Sequence, residues 1–171
     1  MGFGAYNVEA WHDLFIASAG AAAALSGLIF VAVSINLREI LAEEAKIGSS
    51  YLTGRALESL VALLIVLAIS IDGLDAFISH EAFAAFLLLC AALSGISPAL
   101  AFRAYRDSHV KPVAFNLRLF LALLLVLAYA VAGITLLAQA GGGLHWVPVC
   151  FILAIIIAAS NAWILLVEVL R

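Results

Sequence analysis

The spacing of charged residues constrains this chain most. Residues 14–37 contain no Asp, Glu, Lys or Arg, and neither do residues 82–102 or 119–167. A helix needs about 20 apolar residues to cross a bilayer core about 30 Å thick. The first two runs each fit one span. The third is too long for one, and the segment Gln139-Ala-Gly-Gly-Gly-Leu-His-Trp146 divides it, because consecutive glycines favour a turn. A fifth and weakest stretch lies around 57–78. The chain is 67% hydrophobic and 11% charged, with a mean hydropathy of +1.22. A soluble domain carries about 25% charged residues. This chain has too little polar surface to cover itself in water, so lipid is its expected solvent.

The expected fold is therefore all-α: a multi-pass membrane domain over 1–171 with five transmembrane helices. Their expected bounds are about 14–37, 57–78, 82–102, 114–138 and 146–168, at about 1.5 Å of rise per residue. Lys and Arg collect on the cytoplasmic side of a membrane. With five spans, Arg38, Lys46 and Arg55 fall between the first and second. Arg103, Arg106, Lys111 and Arg118 fall between the third and fourth, and Arg171 ends the chain. All eight share one side, which predicts an outside N-terminus and a cytoplasmic C-terminus. Tyr6, Trp11 and Trp146 then mark the outer interface, and Tyr51 and Tyr105 the inner one. The acidic N-terminal region, with Glu9 and Asp13 and no cation, is unlike a secretory signal. Cys90 and Cys150 are too few for a disulfide framework and read as free, inert thiols.

Small residues crowd the first span. Ala19, Ala23 and Gly27 recur at steps of four, with Gly20 and Ala24 beside them and Ala22 and Ser26 in a third row. Small side chains let membrane helices approach closely. A helix that is small all round is expected to be central, within its own bundle or among copies of itself. The plainer reading is an alanine-rich helix in an alanine-rich chain. After Leu37, the segment Arg-Glu-Ile-Leu-Ala-Glu-Glu-Ala-Lys-Ile is helix-forming, with Gly48 as a stop. One helix over about 14–47 would be roughly 50 Å long and project into the cytosol. An amphipathic loop lying on the membrane is the alternative.

A few polar residues need explaining. Only 13 uncharged residues separate Glu58 from Asp72. That is about 20 Å of helix, shorter than the hydrocarbon layer. Either the bilayer thins there or Glu58 and Asp72 face an interior or a cavity. Arg55 is spaced to pair with Glu58, and Asp75 shares a face with Asp72. Ser26, Ser34, Asn36, Glu58, Asp72 and Asp75 are the pore or cavity candidates. Ala19, Gly20, Ala23, Gly27 and Asn161 are the helix-packing candidates. Pro98 is expected to kink the third span. His12, His80 and His145 fall on a cation-free outer face with Glu9, Asp13, Asp72, Asp75 and Glu81. They are weak metal candidates, since no ligand spacing is present. No catalytic motif or phosphate loop appears, so no enzyme and no cofactor is expected. The basic residues are too scattered for nucleic acid, and those of 103–112 suit anionic lipid headgroups.

The stretches "WHDLFIASAGAAAALSGLIFVAVSINL" (11–37), "AGGGLHWVP" (140–148) and "NAWILLVEVLR" (161–171) resemble a group of small bacterial membrane proteins. That group is common in actinobacteria and of unknown function. The resemblance implies a five-helix protein of the bacterial cytoplasmic (inner) membrane and carries over no functional residue. Two functions fit these readings. The first is a small homo-oligomeric channel or pore for ions or small solutes. The second is a non-transporting regulatory or scaffolding subunit that acts through segments 38–50 and 103–112.

Overall fold

A computed structural model describes residues 5–47, 51–75, 79–105 and 112–168, and among these it is all-α. Six helices follow in order: α1 His12–Ile35, α2 Leu37–Ile47, α3 Tyr51–Gly73, α4 His80–Tyr105, α5 Pro112–Leu137 and α6 Val147–Trp163. Short 3-10 turns at Val8–Trp11 and Gly143–Trp146 lead into α1 and α6, and a π-helical turn, Ile164–Glu168, continues α6. Four stretches are long and apolar enough to cross a membrane: Val8–Ile35, Leu52–Gly73, Leu117–Leu137 and Gly143–Leu166. The chain is thus compatible with a polytopic membrane protein. In α4 the described apolar stretch runs from His80 to Ile96. Lipid offers backbone groups no hydrogen bonds, which is why spans close their own bonds as helices.

The bundle is built around α3 and α6, which pack on each other. α1 lies against both, while α4 and α5 form a tight pair on the other side. Close approach is set by small residues at two points. A Cβ on Gly73 of α3 would sit 2.6 Å from the Phe15 ring, and one on Gly133 of α5 would sit 2.7 Å from Leu88. Phe15 meets Phe83 and Phe151 edge-on, at centroid distances of 5.8 and 6.4 Å. Leu63, Val66 and Ile69 of α3 and Leu87 of α4 complete the centre, all fully buried. Large apolar side chains such as Phe30, Ile35, Leu117 and Phe120 face outward.

Within its own bundle the first span is not central. α1 is at the edge: 22% of its most apolar stretch is buried, against 50% for α3. It turns Phe15, Ser18, Ala22, Ile29 and Ala32 inward. Of the small rows, Ala22 and half-buried Ser26 face the bundle. Gly20, Ala23, Ala24 and Gly27 are exposed, Ala19 is half-buried, and a Cβ on Gly20 or Gly27 would meet open space. Phe15 and Ile29 pack into the interior, while Ile16, Leu28, Phe30, Val31 and Ile35 of the same helix stay exposed.

Other bounds shift. The continuous helix expected over 14–47 breaks at Asn36, whose backbone (φ −100°, ψ 15°) ends α1. Its carbonyl then accepts from the Ile40 amide at 2.9 Å as α2 begins. The second span starts earlier than 57, at Tyr51, and its helix ends at Gly73. Residues 76–78 lie outside the described residues, as do the Gly48 stop and 106–111 of the basic loop. α4 runs on through Pro98 without a break.

Candidate functional site

The polar residues gather at two levels, near opposite ends of α3. Glu58 and Asp72 are 14 residues apart there, about 21 Å along the axis. The lower level is an interhelical network. Arg118 of α5 donates to Glu58 Oε2 through Nε at 2.9 Å and also through Nη2, a forked ion pair with side chains 19% and 10% exposed. One helical turn from Glu58, buried Arg55 donates through Nη2 to Asn161 Oδ1 of α6 at 2.7 Å. Asn161 Nδ2 donates to Ser59 Oγ at 2.8 Å, and Ser59 Oγ donates to the Arg55 carbonyl at 2.9 Å. Asn36 Nδ2 donates to the Leu165 carbonyl at 2.8 Å in the π-turn. Each of these side chains has a partner, as a low-dielectric setting requires, while the buried Arg55 Nε makes no hydrogen bond among the described residues. The network joins α3 to α5 and α6, and α6 to the end of α1.

The upper level is a half-open cleft of about 330 Å³ between the N-terminal segment, the end of α3 and the start of α4. Tyr6, Glu9, His12, Asp75, Ser79 and His80 line it. Two of the three histidines singled out in the sequence thus share one cleft with two carboxylates. His80 Nε2 lies 3.0 Å from Gln139 Nε2 and 3.6 Å from Glu81. His145 lies elsewhere: its Nδ1 is 3.0 Å from the Gly142 carbonyl and its ring is edge-on to Trp11. Among the described residues, no three His, Cys, Asp or Glu are placed to hold a metal ion. The N-terminal segment is held over the α5–α6 turn by Leu144 N–H on the Ala5 carbonyl (2.8 Å) and by Gly142 N–H on Tyr6 Oη (3.4 Å). Gly143, at φ +51°, passes so close to Ala5 and Tyr6 that no Cβ fits.

The interior is mostly apolar; its buried polar groups include Ser70 Oγ, which donates to the Val66 carbonyl at 2.8 Å, and the Tyr129 hydroxyl, which has no hydrogen-bond partner among the described residues. Phe15, Leu63, Val66, Ile69, Phe83 and Leu87 have no exposed surface. The pore candidates do not line one path. Ser26 and Ser34 donate to carbonyls of their own helix, at Ala22 and Phe30 (both 2.8 Å), and Ser34 faces outward. Asn36 and Glu58 belong to the lower network. Asp75 lines the upper cleft, and Asp72 stands in the last turn of α3 with Oδ2 buried and no hydrogen-bond partner among the described residues. Cys90 and Cys150 are free and buried.

Three participants escaped the sequence reading. Arg118 read as a loop cation, although it is the residue that bounds the charge-free stretch 119–167. Ser59 carried no signal beyond lying next to Glu58. Glu44 read as part of a charged helix. Its carboxylate in fact accepts from the backbone N–H and Oγ1 of Thr53, at 2.7 and 3.0 Å, at the start of α3. No family model matches the chain. No curated protein and no solved structure matches it.

Proposed function

We propose that this chain is a non-enzymatic, non-transporting regulatory or scaffolding subunit of a bacterial inner membrane. In this reading α4, 26 residues long, is the fifth span, the N-terminus is outside and the C-terminus is cytoplasmic. α2 and the 103–112 loop then lie at the cytoplasmic face, where the loop's cations meet anionic headgroups. One observation carries the reading. Leu63, Val66 and Ile69 occupy the interior between Glu58 and Asp72 with no exposed surface, and Glu58 below them is paired with Arg118. Of the residues that would line a conduit, Asn36 and Glu58 serve instead as ties between helices. Outside-facing Gly20, Ala23 and Gly27 offer α1 to a second copy of the chain.

Flux of K⁺ and of a small neutral solute from proteoliposomes tests this. Leakage equal to that of protein-free vesicles is the expected result. A conductance abolished by Asp72→Asn or Glu58→Gln would overturn it and favour a pore. Oligomeric mass from nanodiscs decides where such a pore would lie, since four or more copies leave a symmetry axis and a monomer leaves none. Reporter fusions at the 76–78 and 106–111 loops test the orientation.

A further inference from the structure

α2 is an 11-residue charged helix held by an apolar contact and a carboxylate clasp. Among its described side chains, Ile40 alone is buried. It enters a small apolar socket with Leu52, Ala56 and Leu165, which is separate from the main core. Glu44 clasps Thr53 at the start of α3, and Asn36 ties the α1–α2 junction to the Leu165 carbonyl. Leu165 therefore serves twice: its carbonyl holds the junction and its side chain walls the socket. It lies in the π-helical turn, a form rare in proteins and frequent where helices carry function. One turn before it, Asn161 holds Arg55 and Ser59.

A helix with one buried apolar side chain among those described, exposed Arg38 and Glu39 and half-buried Glu43 and Glu44 opens locally at lower free energy than a packed core. Emptying the socket leaves the buried residues of the main core in place, the two sharing only half-buried Val33 among the described residues. We propose that α2 is a releasable strap, which leaves the Leu52, Ala56 and Leu165 socket as a unit about Asn36 while the membrane bundle stays folded. It is tethered at both ends, so it opens as a loop. Opening uncovers the apolar socket and the first turn of α3. It also frees Leu165, so the state of the strap is felt one turn away at Asn161 and the Arg55 network. The inference rests on the geometry of α2 alone and stands apart from the regulatory reading above.

Amide hydrogen exchange of the full chain in nanodiscs tests it, comparing wild type with Ile40→Ala and Glu44→Gln. Emptying the socket is expected to speed exchange of the α2 amides about 30-fold. Loosening the clasp is expected to speed it about fivefold. Mid-span amides of α1, α3 and α6 should keep their wild-type rates in both variants. The proposal is overturned if either variant speeds α2 and mid-span amides by the same factor, since α2 then opens only with the bundle. It is overturned equally if both leave the α2 rates unchanged. Glu44→Gln leaves every apolar contact in place, so it keeps the test open if Ile40→Ala does not fold.

Discussion

The forked pair between Glu58 and Arg118 is the sharpest place to test how the lower network holds the bundle. The perturbation is a double-mutant cycle: Glu58→Gln, Arg118→Met and both together. The two side chains keep a tenth and a fifth of their surface exposed, so water screens them weakly. Removing one partner of a fully buried pair costs about 3–5 kcal/mol, most of it from stranding the other charge. An exposed pair is worth about 0–1 kcal/mol. With this residual exposure each single variant is expected to cost about 2 kcal/mol. The double variant strands no charge and is expected to cost about 1–2 kcal/mol. The sum of the singles then exceeds the double by about 2–3 kcal/mol, a coupling within the range measured for contacting pairs. Reversible unfolding in mixed micelles, driven by rising SDS and followed by circular dichroism, reads all four corners. Single effects that add to within about 0.5 kcal/mol would refute the reasoning, because the two groups would then not share one energetic unit.

Four further outcomes follow from the same geometry. Asn161→Ala removes the acceptor of a buried guanidinium and a bond to Ser59, and is expected to destabilise the fold by about 2–3 kcal/mol in the same assay. Gly143→Ala should loosen the N-terminal segment, seen as faster proteolysis of residues 5–11, while Gly20→Ala and Gly27→Ala should leave the monomer as stable or up to about 1 kcal/mol more so. In the assembled protein the latter two are expected to lower the oligomeric mass, because the proposed second copy seats on this face; an unchanged mass would refute that seat. Cys90 and Cys150 should resist a membrane-impermeant maleimide in the folded protein and react once it is unfolded in SDS; labelling before unfolding would show that water reaches the interior.

Much of the helix layout was legible in the chain because it follows from local quantities. Charge-free runs mark apolar helices wherever they occur, since an unpaired charge in lipid is costly whatever its neighbours. The glycines at 141–143 mark a turn because φ there is positive in all three, which only glycine adopts freely. Which face of each helix turns inward was not legible. α1 carries small residues around most of its outer half, and Phe15 and Ile29 pack inward while Ile16, Leu28 and Phe30 of the same helix stay exposed. Partner choice was equally hidden. Glu58 finds Arg118 across 60 residues and Arg55 finds Asn161 across 106. Spacing along one helix reports only neighbours three or four residues apart. Contacts between helices depend on rotation and depth, which are set when all the side chains are packed together. The sequence alone determined that this chain forms apolar helices and where its charges stop. Tertiary structure decided that those charges tie helix to helix, because only packing brings distant residues within hydrogen-bond reach.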